Sequence, residues 1–284
     1  MEEPVTNQEG LSTTFSRIFN SLLIFLITFC LANIFHQLVL GACSKFFSYE
    51  TVIGFGNVHS YPTDNHAWST PRVLFIYTMP LILCVLLTLM VFYRFFVSRI
   101  QKRDIISFFA FWMVINLLLV MTTYMSIAPL GEMNHKYLYQ DLSVIGSWFG
   151  IGSDVLLIFS GLGVIINLLF GSILGKELLR FAYLGRWQDR QSGRFYLFRT
   201  YFLFPLILGV PSTLLFSYPD STFFHIFMAM HAFLFVPAIY FNYKNADPVD
   251  VDMADSDFIG KPKIILPIIF IFLVLVVRIF FTRE

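Results

Sequence analysis

The stretch NIFHQLVLGACSKFFS, residues 33–48, closes the first long apolar run of the chain. It sets His36 and Gln37 where a membrane helix ordinarily stays apolar. A helix that holds zinc for hydrolysis offers a His, a Glu beside it and a second His four residues after the first. Two imidazoles then share one face, and the carboxylate takes a proton from the metal-bound water. In that frame His36 is the first ligand, Gln37 replaces the base and Leu40 replaces the second imidazole. An amide does not act as a base at accessible pH and leucine binds no metal, so a catalytic zinc is not expected on this helix. His36→Ala is then expected to leave metal content unchanged and to remove one hydrogen bond, a loss on the order of 1 kcal/mol. If the chain holds a metal at all, the candidate ligands are His36, Asp220 and His225, and the ion is zinc. Further along the outer side, Glu50 is the other carboxylate that general-base chemistry would have available.

The elements that must position these residues are membrane helices. Of the 284 residues 57% are hydrophobic and 13% charged, and mean hydropathy is +0.73. Soluble domains carry about 25% charged residues, so the composition marks a polytopic membrane protein. With a net charge of +1 there is no electrostatic footprint for a nucleic-acid partner. The three cysteines form no C-x-x-C pair, so no redox or thiolate–zinc role is expected. Leu40-Gly41-Ala42-Cys43 has the form of a lipidation box, but the segment before it is too long and lacks a basic start, so Cys43 is expected to stay unmodified.

A span needs about 20 mainly apolar residues. Segments near 17–41, 73–97, 105–127, 152–174, 200–217, 223–243 and 264–281 qualify, giving one integral membrane domain over 1–284. The fifth and sixth are separated by SYPDS alone and are candidates for a re-entrant hairpin. A short β-like element is expected at 49–58, as a hairpin after the first span. Lys and Arg crowd the links 98–104 and 175–199, whereas 42–72 and 128–151 hold only Lys45, Arg72 and Lys136. By the positive-inside rule the N-terminus is cytoplasmic and the C-terminus outside. That topology puts all six histidines at outer helix ends or in outer loops. Residues 175–199, basic and aromatic together, are expected to lie on the cytoplasmic membrane face with Tyr183 and Trp187 at headgroup depth. The aspartates of 247–257 lack the Gly and Glu of a calcium loop and are expected to be a solvated acidic segment. Few ionisable residues fall within spans, which argues against an ion or proton transporter. The in-span asparagines Asn33, Asn116 and Asn167 are expected to join helices instead.

Three stretches together resemble the site-2-protease-type (M50-like) intramembrane zinc metallopeptidases. Phe35-His36-Gln37-Leu38, followed by Val52-Ile53-Gly54-Phe55-Gly56, resembles that family's HELGHA helix end and the glycine-containing hairpin after it. Phe159-Ser160-Gly161-Leu162-Gly163-Val164-Ile165-Ile166-Asn167-Leu168-Leu169 resembles its small-residue helix, with Gly163 where the family has proline. Tyr218-Pro219-Asp220-Ser221 stands where the family carries an Asp ligand in a proline-containing segment. The likeness covers about a quarter of the chain, and the departures fall on the catalytic groups.

The resemblance implies a non-catalytic relative, a pseudoenzyme that binds, assembles or regulates membrane partners. Two alternatives stand beside it. One is a metal-dependent membrane enzyme using His36, Asp220 and His225. The other is an accessory subunit of a larger membrane protein complex. In each case the partners are membrane lipids and another membrane protein.

Overall fold

The computed structural model describes residues 11–53, 58–61, 68–97, 104–131, 141–182, 186–217, 222–247 and 259–280. The fold is all-α and polytopic. α1 (Leu11–Phe46) leads into a two-stranded hairpin, β1 (Glu50–Ile53) and β2 (Val58–Tyr61). Next come α2 (Thr70–Phe92), which runs on as a π-turn over Tyr93–Val97, and α3 (Ile105–Ile127). The short α4 (Leu142–Phe149) precedes α5 (Ser153–Leu179). α6 (Arg186–Asp189), α7 (Gln191–Phe198), a π-turn over Arg199–Leu203 and α8 (Phe204–Ser217) follow. α9 (Thr222–Asn245) and α10 (Ile265–Phe280) complete the chain. Among the described residues six helices are long and apolar enough to cross a membrane, and α10 supplies a shorter apolar helix. Helices therefore stand at all seven predicted segments. The fifth starts earlier than predicted, at Gln191, because α7, the π-turn and α8 follow one another without a break.

Local signals set several boundaries. Asp104 caps α3, its carboxylate accepting from Ser107 N–H at 2.8 Å. Pro71 lies in the first turn of α2, where a missing N–H costs nothing. Gly150, at φ +61°, ends α4 in the left-handed conformation that only glycine adopts without strain. In the fifth span Pro205 cannot donate to the carbonyl four residues back, that of Tyr201. The freed oxygen accepts from the Ser21 hydroxyl of α1 at 2.8 Å, so the break is repaired by a neighbouring helix.

α1 and α3 form the centre. The most apolar window of α3 is 78% buried and that of α1 67%, against 28% for α2 and 22% for α5. α2 and α5 thus present most of their surface outward. Phe25, Trp112 and Phe202 interlock where α1, α3 and the fifth span meet. Asn116 of α3 donates to Phe25 O and Thr28 Oγ1 of α1, as predicted for an in-span asparagine. α1 has 36 residues and so extends about 54 Å, well beyond a hydrocarbon core of about 30 Å. Its far end carries the antiparallel hairpin, registered with Glu50 opposite Tyr61 and Ile53 opposite Val58. Gly41 permits this seat: a Cβ there would lie 2.4 Å from Ile53 Cδ1. Ser60 Oγ donates to Ser44 Oγ and ties β2 to the same helix.

Two expectations are corrected. Residues 175–199 do not form an interfacial helix. Lys176 to Leu179 belong to α5, and Gln191 to Phe198 open the fifth span. Trp187 is fully buried within the protein rather than turned toward lipid, because Arg17 of α1 lies over its ring at 4.7 Å and donates to Tyr196 OH at 2.7 Å. A cation in a buried helix turn needs a π-face and a hydroxyl around it, and the aromatic residues of this segment turn inward to supply them. Tyr183 and the acidic residues 248–257 lie outside the described residues. The second correction concerns His231. It stands nine residues into α9, about 14 Å from its start, and not at a helix end.

Candidate functional site

The polar residues that open the sequence are drawn into the bundle. His36 is 1% exposed. Its imidazole stacks on the ring of Tyr124, from α3, with centroids 4.3 Å apart and planes 13° from parallel. Its Nε2 lies 3.2 Å from Oδ2 of Asp141, itself 1% exposed. The two groups stand at ion-pair distance, and among the described residues neither imidazole nitrogen and neither carboxylate oxygen makes a hydrogen bond. Gln37 Nε2 donates to Tyr124 OH at 3.1 Å. One tyrosine therefore supports both polar residues of the α1 end, by its face and by its hydroxyl.

Asp141 reaches His36 at a conformational cost. It immediately precedes α4, where its carboxylate would ordinarily cap the helix, yet it makes no side-chain cap. Its backbone sits at φ +45°, ψ −111°, which an L-residue with a Cβ adopts only under strain. The carboxylate is turned away from the helix it precedes and toward an imidazole 105 residues earlier in the chain. Strain of this kind is maintained only where the surroundings over-determine it.

Chemically, a carboxylate on one imidazole nitrogen fixes ring orientation and tautomer. That is the arrangement in which His serves as a base or as a supported metal ligand. A tetrahedral catalytic zinc wants three protein ligands and an open position. Among the described residues no group of three His, Cys, Asp or Glu is placed to hold a metal ion. At the position of the second imidazole, Leu40 is buried in an apolar cluster with Tyr49 and Ile76.

The other predicted ligands distribute as follows. His225, in the first turns of α9, is buried with its ring edge-on to Phe29, 6.0 Å between centroids, and to Phe224. Phe29 precedes His36 by seven residues, about 10 Å along α1. Tyr124 stacks on His36 and also meets Phe224, at 4.8 Å, so it lies between the two histidines' surroundings. Asp220 lies outside the described residues, as do His66 and His135. Glu50 is exposed on β1.

Sequence reasoning missed Asp141 and Tyr124. Asp141 did carry a signal, since it is a capping residue type directly before the apolar run LSVIGSWF. Tyr124 carried none, because a tyrosine near a span end is ordinary.

A second buried polar group joins three helices. Asn167 of α5 donates to Thr122 Oγ1 of α3 at 2.9 Å and contacts His231 Nδ1 at 2.6 Å. His231 Nε2 meets Ser126 Oγ of α3 on its other side. With the amide donating to Nδ1, the imidazole is neutral and Nε2 is its donor. Asn167 is the asparagine of the small-residue stretch described above, and Gly163, Gly171 and Gly175 continue its face at four-residue intervals. Thr122 backbone lies 3.3 Å from a Cβ built at Gly163, and α9 lies against Gly171 and Gly175.

Compared with known proteins, the chain matches no family model, no curated protein and no solved structure.

Proposed function

We propose that this integral membrane protein is non-catalytic, similar in plan to an inactive intramembrane metallopeptidase, and acts in binding, assembly or regulation of membrane partners. The observation that carries this reading is the use made of positions 36, 37 and 40. His36 is turned to Asp141, Gln37 to Tyr124, and Leu40 is enclosed in apolar packing. A hairpin directly after α1 and a glycine–asparagine face on α5 also favour the likeness.

Metal analysis of the purified chain tests it. Wild type and His36→Ala should both lack stoichiometric zinc, and the double variant Gln37→Glu, Leu40→His should acquire it. Zinc in the wild type that vanishes in His36→Ala would instead promote the metal-dependent enzyme using His36, Asp220 and His225. One observation favours that second reading: a buried carboxylate–imidazole pair is how proteins orient a metal-ligating histidine. A folded double variant without zinc would remove the likeness to the peptidase helix. Co-purification in mild detergent addresses the membrane protein partner, as the accessory-subunit reading also requires.

The N-terminus is assigned to the cytoplasm. Arg94, Lys176, Arg180, Arg186, Arg190 and Lys244 stand at or beyond the span ends on the N-terminal side of α1. At the opposite end the described residues supply Lys45, Arg72 and Arg278. In intact cells, with Cys43→Ser as background, Lys244→Cys should be protected from an impermeant thiol reagent and Phe46→Cys labelled. The opposite pattern inverts the topology.

A further inference from the structure

At the basic end of the bundle a cavity of about 350 Å³ opens between the first turns of α7 and the last turn of α9. Gln191, Ser192, Arg194 and Phe195 line it from α7, and Tyr240 and Lys244 from α9. It has two cations and no carboxylate in its wall. Arg194 is fixed in place: its Nη1 donates to Lys244 O at 2.9 Å and Ala246 O at 2.7 Å, and its Nε to Gln188 O. These acceptors are neutral carbonyls. They hold the guanidinium without cancelling its charge, and among the described residues neither Arg194 nor Lys244 forms an ion pair. Asp189 and Asp247 are near in the chain but do not line the cavity. Arg199 adds a third cation beside it, stacked over Phe195 at 5.9 Å, with an Nε that meets no acceptor among the described residues.

The cavity's place in the fold narrows the anion. α9 reaches its polar end here and the fifth span begins here, so the cavity straddles the boundary between charged link and apolar span. Phe195 in its wall and Phe241 beside Tyr240 are 48% and 66% exposed. An anion seated here has donors around its charge and exposed aromatic surface next to it. The volume admits a headgroup and leaves acyl chains outside, since drug-sized ligands already need about 300–1,000 Å³. We propose that this cavity is a headgroup site for an anionic phospholipid, its phosphate between Lys244 and Arg194 with Ser192 and Gln191 as donors, and its chains along Phe195 and Phe241.

The test is native mass spectrometry of the full chain released from nanodiscs of phosphatidylcholine and phosphatidylglycerol in equal parts. Wild type should retain one phosphatidylglycerol in preference to phosphatidylcholine. Lys244→Glu should lower that preference about tenfold, as reversing one headgroup contact predicts. Ser192→Asp, which adds a negative charge without touching α9, should do the same and covers the case in which Lys244→Glu does not fold. Lys45→Glu, at the other end of the bundle, should change nothing. Equal retention of the two lipids, or an equal loss in Lys45→Glu, overturns the site. Glycerol 3-phosphate raising the melting temperature of delipidated protein as much as phosphatidylglycerol does would make it a free-phosphate site and overturn the lipid assignment.

Discussion

His36→Ala should lower the unfolding free energy by about 3–5 kcal/mol, the usual cost of leaving a buried carboxylate without its partner. The sequence by itself led to an expectation near 1 kcal/mol, appropriate to one lost hydrogen bond at a helix end. The difference lies in Asp141. Its carboxylate is 1% exposed and has His36 as its ion-pair partner. Removing the imidazole strands a carboxylate away from water. Truncating Asp141 should cost a similar amount, and Asp141→Gly about 1 kcal/mol less than Asp141→Ala, because glycine relieves the φ +45° backbone. Replacing both partners with leucine should cost less than either single change, since a buried pair exchanged for apolar packing is often neutral. Denaturant unfolding in detergent of both single variants and the double variant measures this as a coupling energy. Additive losses of about 1 kcal/mol each would show that the pair is a surface-like contact and not a buried unit.

Gly175→Leu should cost about 3 kcal/mol or more, at or beyond the top of the range for overpacking a tight interface. A Cβ at this position falls 2.6 Å from Ile239 O and 3.2 Å from Tyr243 N. Both are backbone atoms of α9 and cannot move aside as a side chain can. One turn earlier, a Cβ at Gly171 falls 2.8 Å from Ala238 Cβ. α5 and α9 must then separate along this face. Close approach of small residues is what drives helix association where lipid and core are equally apolar, so that separation forfeits the main attraction. The control is Gly161→Leu on the same helix, which meets nothing within 4 Å and should be neutral. Melting temperature and the yield of monodisperse protein in detergent read both. Similar behaviour of the two variants would mean that α5 and α9 do not meet at Gly175.

That the chain is a bundle of membrane helices, and where they lie, was legible in its apolar runs alone. An unpaired backbone polar group in hydrocarbon costs several kcal/mol, so an apolar run of spanning length has little alternative to a helix. ILPIIFIFLVLVVRIF can hardly be anything else, and α10 occupies that run. Composition could not say which face of each helix turns inward. In α5, Leu157, Ile158, Ile165 and Leu169 point outward and Leu156, Leu174 and Leu178 point in, residues of the same kind on both sides. Lipid solvates leucine as well as a core does, so the pattern that reveals a buried face in water is erased. The polar contacts depend on those faces and are fixed by helix packing. That packing set Asp141 rather than a neighbour in sequence beside His36, turned Trp187 inward beneath Arg17, and placed His231 between Asn167 and Ser126. Each joins residues far apart in the chain, and an apolar sequence carries no register by which helices 60 to 180 residues apart could be aligned.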